Sequence, residues 1–179
     1  MNAHPWVFVA AALLLSLERL AYVVIWRAPE RFHSVCDRAG PSLEDPVAAL
    51  EALFLLFKTI QIGVFVWWCW AFGPLPPFMW GGRLVPVSAG ALLVTAGQAL
   101  NASVFFRLGR VGVFYGSRFG RYVPWCRRFP FSWFEHPQYV GAVLSIWGVF
   151  LVMRFPADDW LALPVLETVY YLAGARAEG

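Results

Sequence analysis

The chain has 179 residues, of which 60% are apolar and only 14% charged, with a net charge of +3; a water-soluble domain expects about 45–50% and 25% respectively and has no place for so much apolar surface. Eighteen per cent aromatic content, including ten Trp, suits wide membrane interfaces, where amphipathic rings collect. Thirteen of the fourteen basic residues are Arg and they cluster near apolar segments, which points to anionic lipid rather than nucleic acid.

The expected fold class is all-α: a multi-pass integral membrane helical bundle with four to five apolar segments and a C-terminal helical hairpin, one membrane-embedded domain over 1–179. No secretory signal is expected, because residues 1–6 lack a positive n-region and no small-residue cleavage site follows. A spanning helix needs about 20 residues. The first segment, 6–26, carries Glu18 and Arg19 in its middle, a costly pair in lipid, so this helix lies along the interface or turns that face inward against protein. The second, 52–72, holds Lys58 and Gln61 and ends in Trp67, Trp68 and Trp70.

Residues 73–83 (GPLPPFMWGGR) form a Pro/Gly-rich turn. The third segment runs over 84–106. From 107 to 136 the chain is basic and aromatic, too polar to cross a bilayer, and is expected to be interfacial. Two shorter apolar runs, 140–153 and 160–175, are separated by RFPADD and suit a tilted hairpin. The Arg-rich stretches after segments one and three both belong on the cytosolic side by the positive-inside rule, and a returning hairpin brings the C-terminus there too. Cys36, Cys69 and Cys126 lack the spacing of a zinc site or a disulfide framework, so no metal is expected.

No dinucleotide fingerprint, P-loop or nucleophile elbow is present, so any chemistry must be built from helices and loops at the membrane face. Gly109, Gly112, Gly116 and Gly120 are spaced three, four and four, which would place them on one helical face. Gly is costly inside a helix; spacing alone favours helix packing through small residues over ligand approach. Glu135-His136-Pro137 sets a carboxylate and an imidazole just before a proline that disfavours helix at His136, so the pair sits on a turn. His titrates near neutrality and suits proton transfer, yet a lone interfacial His or Tyr139 also reads as structural. Within the third segment, TAGQALN (95–101) places Gln98 and Asn101 in an apolar helix, where they need partners, and Ala96 and Gly97 allow close approach to the backbone.

Together, TAGQALN, FFRLGRVGVFYGSRFG, FPF and HPQYVG resemble the phosphatidylethanolamine N-methyltransferase family, especially the phospholipid methyltransferases that act on already methylated ethanolamine lipids. HPxYxG is shared more widely, with prenylcysteine methyltransferases and sterol reductases; the ordered series is more specific. The resemblance implies S-adenosylmethionine as cofactor, a phospholipid in the bilayer as the partner substrate, and an endoplasmic reticulum membrane location with the site facing the cytosol. Two elements of that family are associated with the cofactor. The small-residue G-x-G falls on Thr95, Ala96 and Gly97, with Thr95 replacing a Gly. The acidic pair after the last segment falls on Arg176 and Ala177 without a gap, and a one-residue shift brings in Glu178. Gln98, Tyr139 and Gly141 are placed beside them as cofactor-binding. His136 is the candidate base, oriented by Glu135. Tyr115, Arg118 and Arg121 are candidates for the substrate, the arginines for its phosphate and Tyr115, with Tyr139 and Trp133, for a methylated ammonium. The alternatives are a prenylcysteine carboxyl methyltransferase and a non-catalytic multi-pass lipid-binding protein.

Overall fold

The computed structural model describes residues 5–40, 43–73, 83–124 and 126–178; most of the turn expected over 73–83 lies outside them. The elements are α1 (Pro5–Arg27), α2 (Pro29–Ala39), α3 (Pro46–Ala71), α4 (Leu84–Val113), a short 3-10 turn (Gly116–Phe119), α5 (Pro137–Met153) and α6 (Ala162–Glu178). There is no strand among the described residues. α2, α3 and α5 each carry a proline in the first turn, where the missing N–H costs nothing and the ring presets helical φ. The Asp45 carboxylate accepts a hydrogen bond from the Val47 amide at 3.1 Å and caps α3.

α1, α3 and the region from α4 to Phe119 are long and apolar enough to cross a membrane, as a multi-pass bundle requires. α5 and α6 have 17 residues each, short for a comfortable span. Along α1, Val7, Ala11, Leu15, Glu18, Tyr22 and Ile25 are buried at helical spacing, while Leu13, Leu17, Leu20 and Val24 are exposed. The second face suits lipid, and the first carries Glu18 and Arg19 inward. The inward option for this charge pair is the one the bundle adopts. One core joins α1, α3, α5 and α6 through Ala11, Trp68, Phe150, Leu163 and Tyr171, and a smaller one at the Arg-rich end gathers Tyr22, Ile25, Leu50 and Phe114.

α4 and α5 run antiparallel and meet through glycine. A Cβ on Gly90 would lie 2.7 Å from the Gly148 carbonyl oxygen, and one on Gly141 would lie 2.7 Å from that of Gly97. Both distances are far inside van der Waals contact, so the two helices touch backbone to backbone at two levels, seven residues apart on each. At the end remote from the Arg-rich stretches, the fully buried Arg154 guanidinium donates to the Asp159 carboxylate and to the carbonyls of Phe72 and Gly73. The Trp68 indole also donates to Asp159, at 2.8 Å, so this ion pair ties the end of α3 to the α5–α6 turn.

Three expectations need correction. The glycines from 109 to 120 do not share a helical face: Gly109 breaks α4 with φ 63° and ψ −179°, Gly116 sits in the 3-10 turn and Gly120 is left-handed at φ 73°. A left-handed turn is what Gly permits without a Cβ clash, and this segment uses its glycines to bend. Residues 29–39, expected as loop, form α2, a short amphipathic helix with only Cys36 buried. α4 reaches Val113 rather than stopping near 106.

α3 and α4 are consecutive, yet they scarcely touch. α3 packs on α1, and α4 on α5. The space between them is a large cavity.

Candidate active site

Because α5 starts at Pro137, His136 is held outside the helix at φ −120° and ψ 68°, and its ring stacks on Tyr139 with centroids 5.6 Å apart. One turn into α5, the Tyr139 hydroxyl donates to Glu178 Oε1 at 2.5 Å, and the Tyr115 hydroxyl donates to the same oxygen at 2.7 Å. Tyr115 has φ 54°, a left-handed conformation that costs a non-glycine residue about 1–3 kcal/mol. Its ring packs edge-on against Trp26 at 5.1 Å and Tyr22 at 6.1 Å, and with the bond to Glu178 these contacts hold the strained residue in place. The loop after α4, the start of α5 and the end of α6 thus converge on one carboxylate.

Deeper along the bundle lies a second polar group. The Arg19 guanidinium sits over the Tyr171 ring at 4.0 Å and beside those of Tyr22 and Tyr139, and it pairs with Glu18 at 2.7 Å. Lys58 meets the same carboxylate at 3.0 Å and donates to Gln61 at 3.0 Å and Tyr171 at 3.3 Å. Gln61 in turn donates to Glu167 at 2.6 Å. Ionisable groups within spanning segments are expensive and mark functional sites by default; here Glu18, Arg19, Lys58 and Glu167 are gathered into one network with Gln61 and Tyr171.

Both groups wall a cavity of about 1840 Å³ between α3 and α4. Glu135, His136, Tyr139, Glu178, Tyr115 and Gln98 line it. Thr95, Ala96, Gly97 and Gly141 do not: Thr95 bonds back to the Ala91 carbonyl, and Gly97 and Gly141 admit each other's helix rather than a ligand. Nor do Arg118 and Arg121, since Arg118 donates twice to the Trp26 carbonyl and covers its ring at 4.2 Å, while Arg121 reaches Asp45. Glu135 is exposed and makes no hydrogen bond to His136 among the described residues, so it does not orient the imidazole. Trp133 points away from the cavity, packing on Phe129.

Residues 85–178 match the family model of the phospholipid methyltransferases. The chain belongs to this family. It is similar to the phosphatidyl-N-methylethanolamine N-methyltransferase of Arabidopsis thaliana, 29% identical over 125 residues that cover 70% of this chain and 67% of the relative. No solved structure is a significant match. As a phospholipid methyltransferase, the protein is an enzyme that methylates a phospholipid from a methyl donor, and the matched stretch spans α4 to α6, including Tyr115, His136, Tyr139 and Glu178. The Glu18–Lys58 group lies before it. Sequence reasoning reads Glu18 and Arg19 as costly in lipid and notes Lys58 and Gln61 in the next segment, but does not join them to Tyr171 and Glu167, a pairing only the rotation of three helices reveals.

Proposed function

We propose that this phospholipid methyltransferase transfers the methyl group of S-adenosylmethionine to the nitrogen of ethanolamine phospholipids carrying one or two methyl groups, and of phosphatidylethanolamine itself, toward phosphatidylcholine. The observation that carries this reading is the convergence of His136, Tyr139, Tyr115 and Glu178 on one end of a cavity between α3 and α4, two helices that scarcely touch.

The wall suits the donor. The Asn101 Oδ1 and Tyr22 hydroxyl atoms are buried on the cavity lining without a hydrogen-bond partner, and such atoms cost stability unless a ligand satisfies them. Gln98, Asn101, Tyr139 and Glu178 would hold S-adenosylmethionine, the Glu178 carboxylate facing its positive charge. When bound, it supplies an electrophilic methyl group on a sulfonium. This end of the bundle also carries the Arg-rich stretches, which supports a cytosolic orientation, where a water-borne donor can enter; the membrane we propose is that of the endoplasmic reticulum.

Accepting that methyl group would require a free lone pair on the acceptor nitrogen, with the S–C electron pair left on sulfur. An alkylammonium with a pKa near 10 has no lone pair to offer, so its proton must first leave. His136 is the proton acceptor. The rings of Tyr115 and Tyr139 lie where a developing alkylammonium gains cation–π attraction. Holding amine and methyl in register contributes up to about 7–11 kcal/mol of barrier lowering, so the cavity's geometry carries more of the rate than the base.

The test is mass analysis of lipids from a methylation-deficient host expressing the chain, beside pure protein in nanodiscs with labelled donor. Phosphatidylcholine formed from mono- and dimethylated precursors is the expected result. Label appearing only on a prenylcysteine carboxylate, or on no acceptor, overturns the reading.

A further inference from the structure

The lipid bears a phosphodiester two methylenes and an ester oxygen from the nitrogen to be methylated. With the nitrogen at the Tyr139 end, that anion must lie inside the cavity, and a buried anion without a cation is prohibitively costly. Among the described residues lining the cavity, the permanent cations are Arg19, Lys58 and Arg127. Arg19 is covered by Tyr171 and closed by Glu18. Arg127 lies exposed in the loop before α5, outside the spanning helices.

Lys58 stands where the anion must fall. The Tyr139 and Tyr171 rings touch, with centroids 5.4 Å apart, and the Tyr171 hydroxyl meets the Lys58 ammonium, so one aromatic ring separates this lysine from the reaction end. Beyond it the lining changes character: Ile62, Phe65, Val66, Cys69 and Trp70 continue down α3 for about 18 Å as an apolar wall. Ile62, Val66 and Trp70 are largely exposed, as expected of a groove open to acyl chains. Lys58 thus marks the border between polar and apolar lining, which is also the border between a lipid's headgroup and its tails.

The charge also fits. Glu18 is shared by Arg19 and Lys58, and Glu167, 1% exposed and bound to Gln61, does not line the cavity, so Lys58 is the cation of this group that faces the space. Glu18, Gln61 and Tyr171 take the three N–H donors of the Lys58 ammonium, so a phosphate oxygen would replace the neutral Gln61 or Tyr171 as acceptor; 27% of the side chain is exposed. Lys58 is the chain's single lysine, a compact point charge with rotatable donors.

We infer that Lys58 binds the phosphate of the acceptor lipid and so sets the register of its nitrogen. This inference rests on the proposed function. Its test uses wild type, Lys58→Met and Lys58→Arg in nanodiscs, with a methylated ethanolamine phospholipid and with a diacylglyceryl ether of N-methylethanolamine that lacks the phosphate. Lys58→Met should raise the apparent KM for the phospholipid at least tenfold while leaving that for S-adenosylmethionine within twofold, and Lys58→Arg should restore most of the loss. The phosphate-free acceptor should be equally poor for wild type and Lys58→Met. Equal KM of wild type for the two acceptors overturns the inference without recourse to a variant, which matters if Lys58→Met does not fold. Parallel changes in both KM values would show a structural role instead and also overturn it. Wild type that methylates no phospholipid defeats the proposed function, and the inference with it.

Discussion

Gly148→Ala tests the backbone contact between α4 and α5. The added Cβ would lie 2.5 Å from the Gly90 carbonyl oxygen and 2.8 Å from the Val94 amide nitrogen. Both are backbone atoms within a helix, so no side chain can swing aside, and the helices must part by several tenths of an ångström. Overpacking of this kind costs about 1–3 kcal/mol, and the parting also loosens Val94, Leu151 and Val152 around the crossing. Ala recovers up to about 1 kcal/mol of helix propensity. Gly63→Ala in α3 is the internal control, because nothing lies within 4 Å of its Cβ; it should be neutral or stabilising. Reversible unfolding in mixed micelles should therefore lower the midpoint for Gly148→Ala and leave it unchanged or raise it for Gly63→Ala. Gly148→Ala as stable as Gly63→Ala would refute the close crossing.

His136→Ala should lower turnover severalfold or more while leaving the yield of folded protein near wild type; wild-type turnover would remove His136 from proton transfer. Glu178→Gln keeps the shape but loses the charge shared by two tyrosine hydroxyls, and is expected to raise the KM for S-adenosylmethionine about tenfold with little effect on that for lipid, by initial-rate kinetics. Arg118→Gln should cost about 0.5–1 kcal/mol of unfolding free energy through the lost contact with Trp26 and leave the lipid KM unchanged; a tenfold rise in that KM would return Arg118 to the substrate site. Arg154→Met strands Asp159 and should destabilise by about 3–5 kcal/mol, partly relieved by adding Asp159→Asn, as read from the same unfolding transition.

Segment positions were legible because hydropathy reports the solvent each stretch must meet, and lipid imposes that demand residue by residue. α1, α3, α5 and α6 accordingly lie close to where the apolar runs place them. The turn before α5 was legible for a local reason too, since Pro137 restricts His136 whatever surrounds it. Rotation and pairing are different, because they are settled by partners distant in sequence. Nothing local joins Tyr115 to Glu178 across 63 positions, or Gln61 to Glu167. The glycines behave alike: Gly97 and Gly141 permit close approach, and only the fold shows that each lies against the other's helix. The repeat of Gly90 and Gly97 seven residues apart, mirrored by Gly141 and Gly148, was the available signal. α2 is too short and too polar for hydropathy to register.

The slot between α3 and α4 changes what concentration means for this enzyme. A substrate arriving sideways through such an opening is drawn from two dimensions, so occupancy follows its mole fraction in the leaflet rather than its molarity in the tube. Every neighbouring amphiphile, including the detergent used for extraction, then competes for the same aperture. Rates measured in micelles should fall as inert surfactant is added at constant substrate, and recover when the ratio of the two is restored.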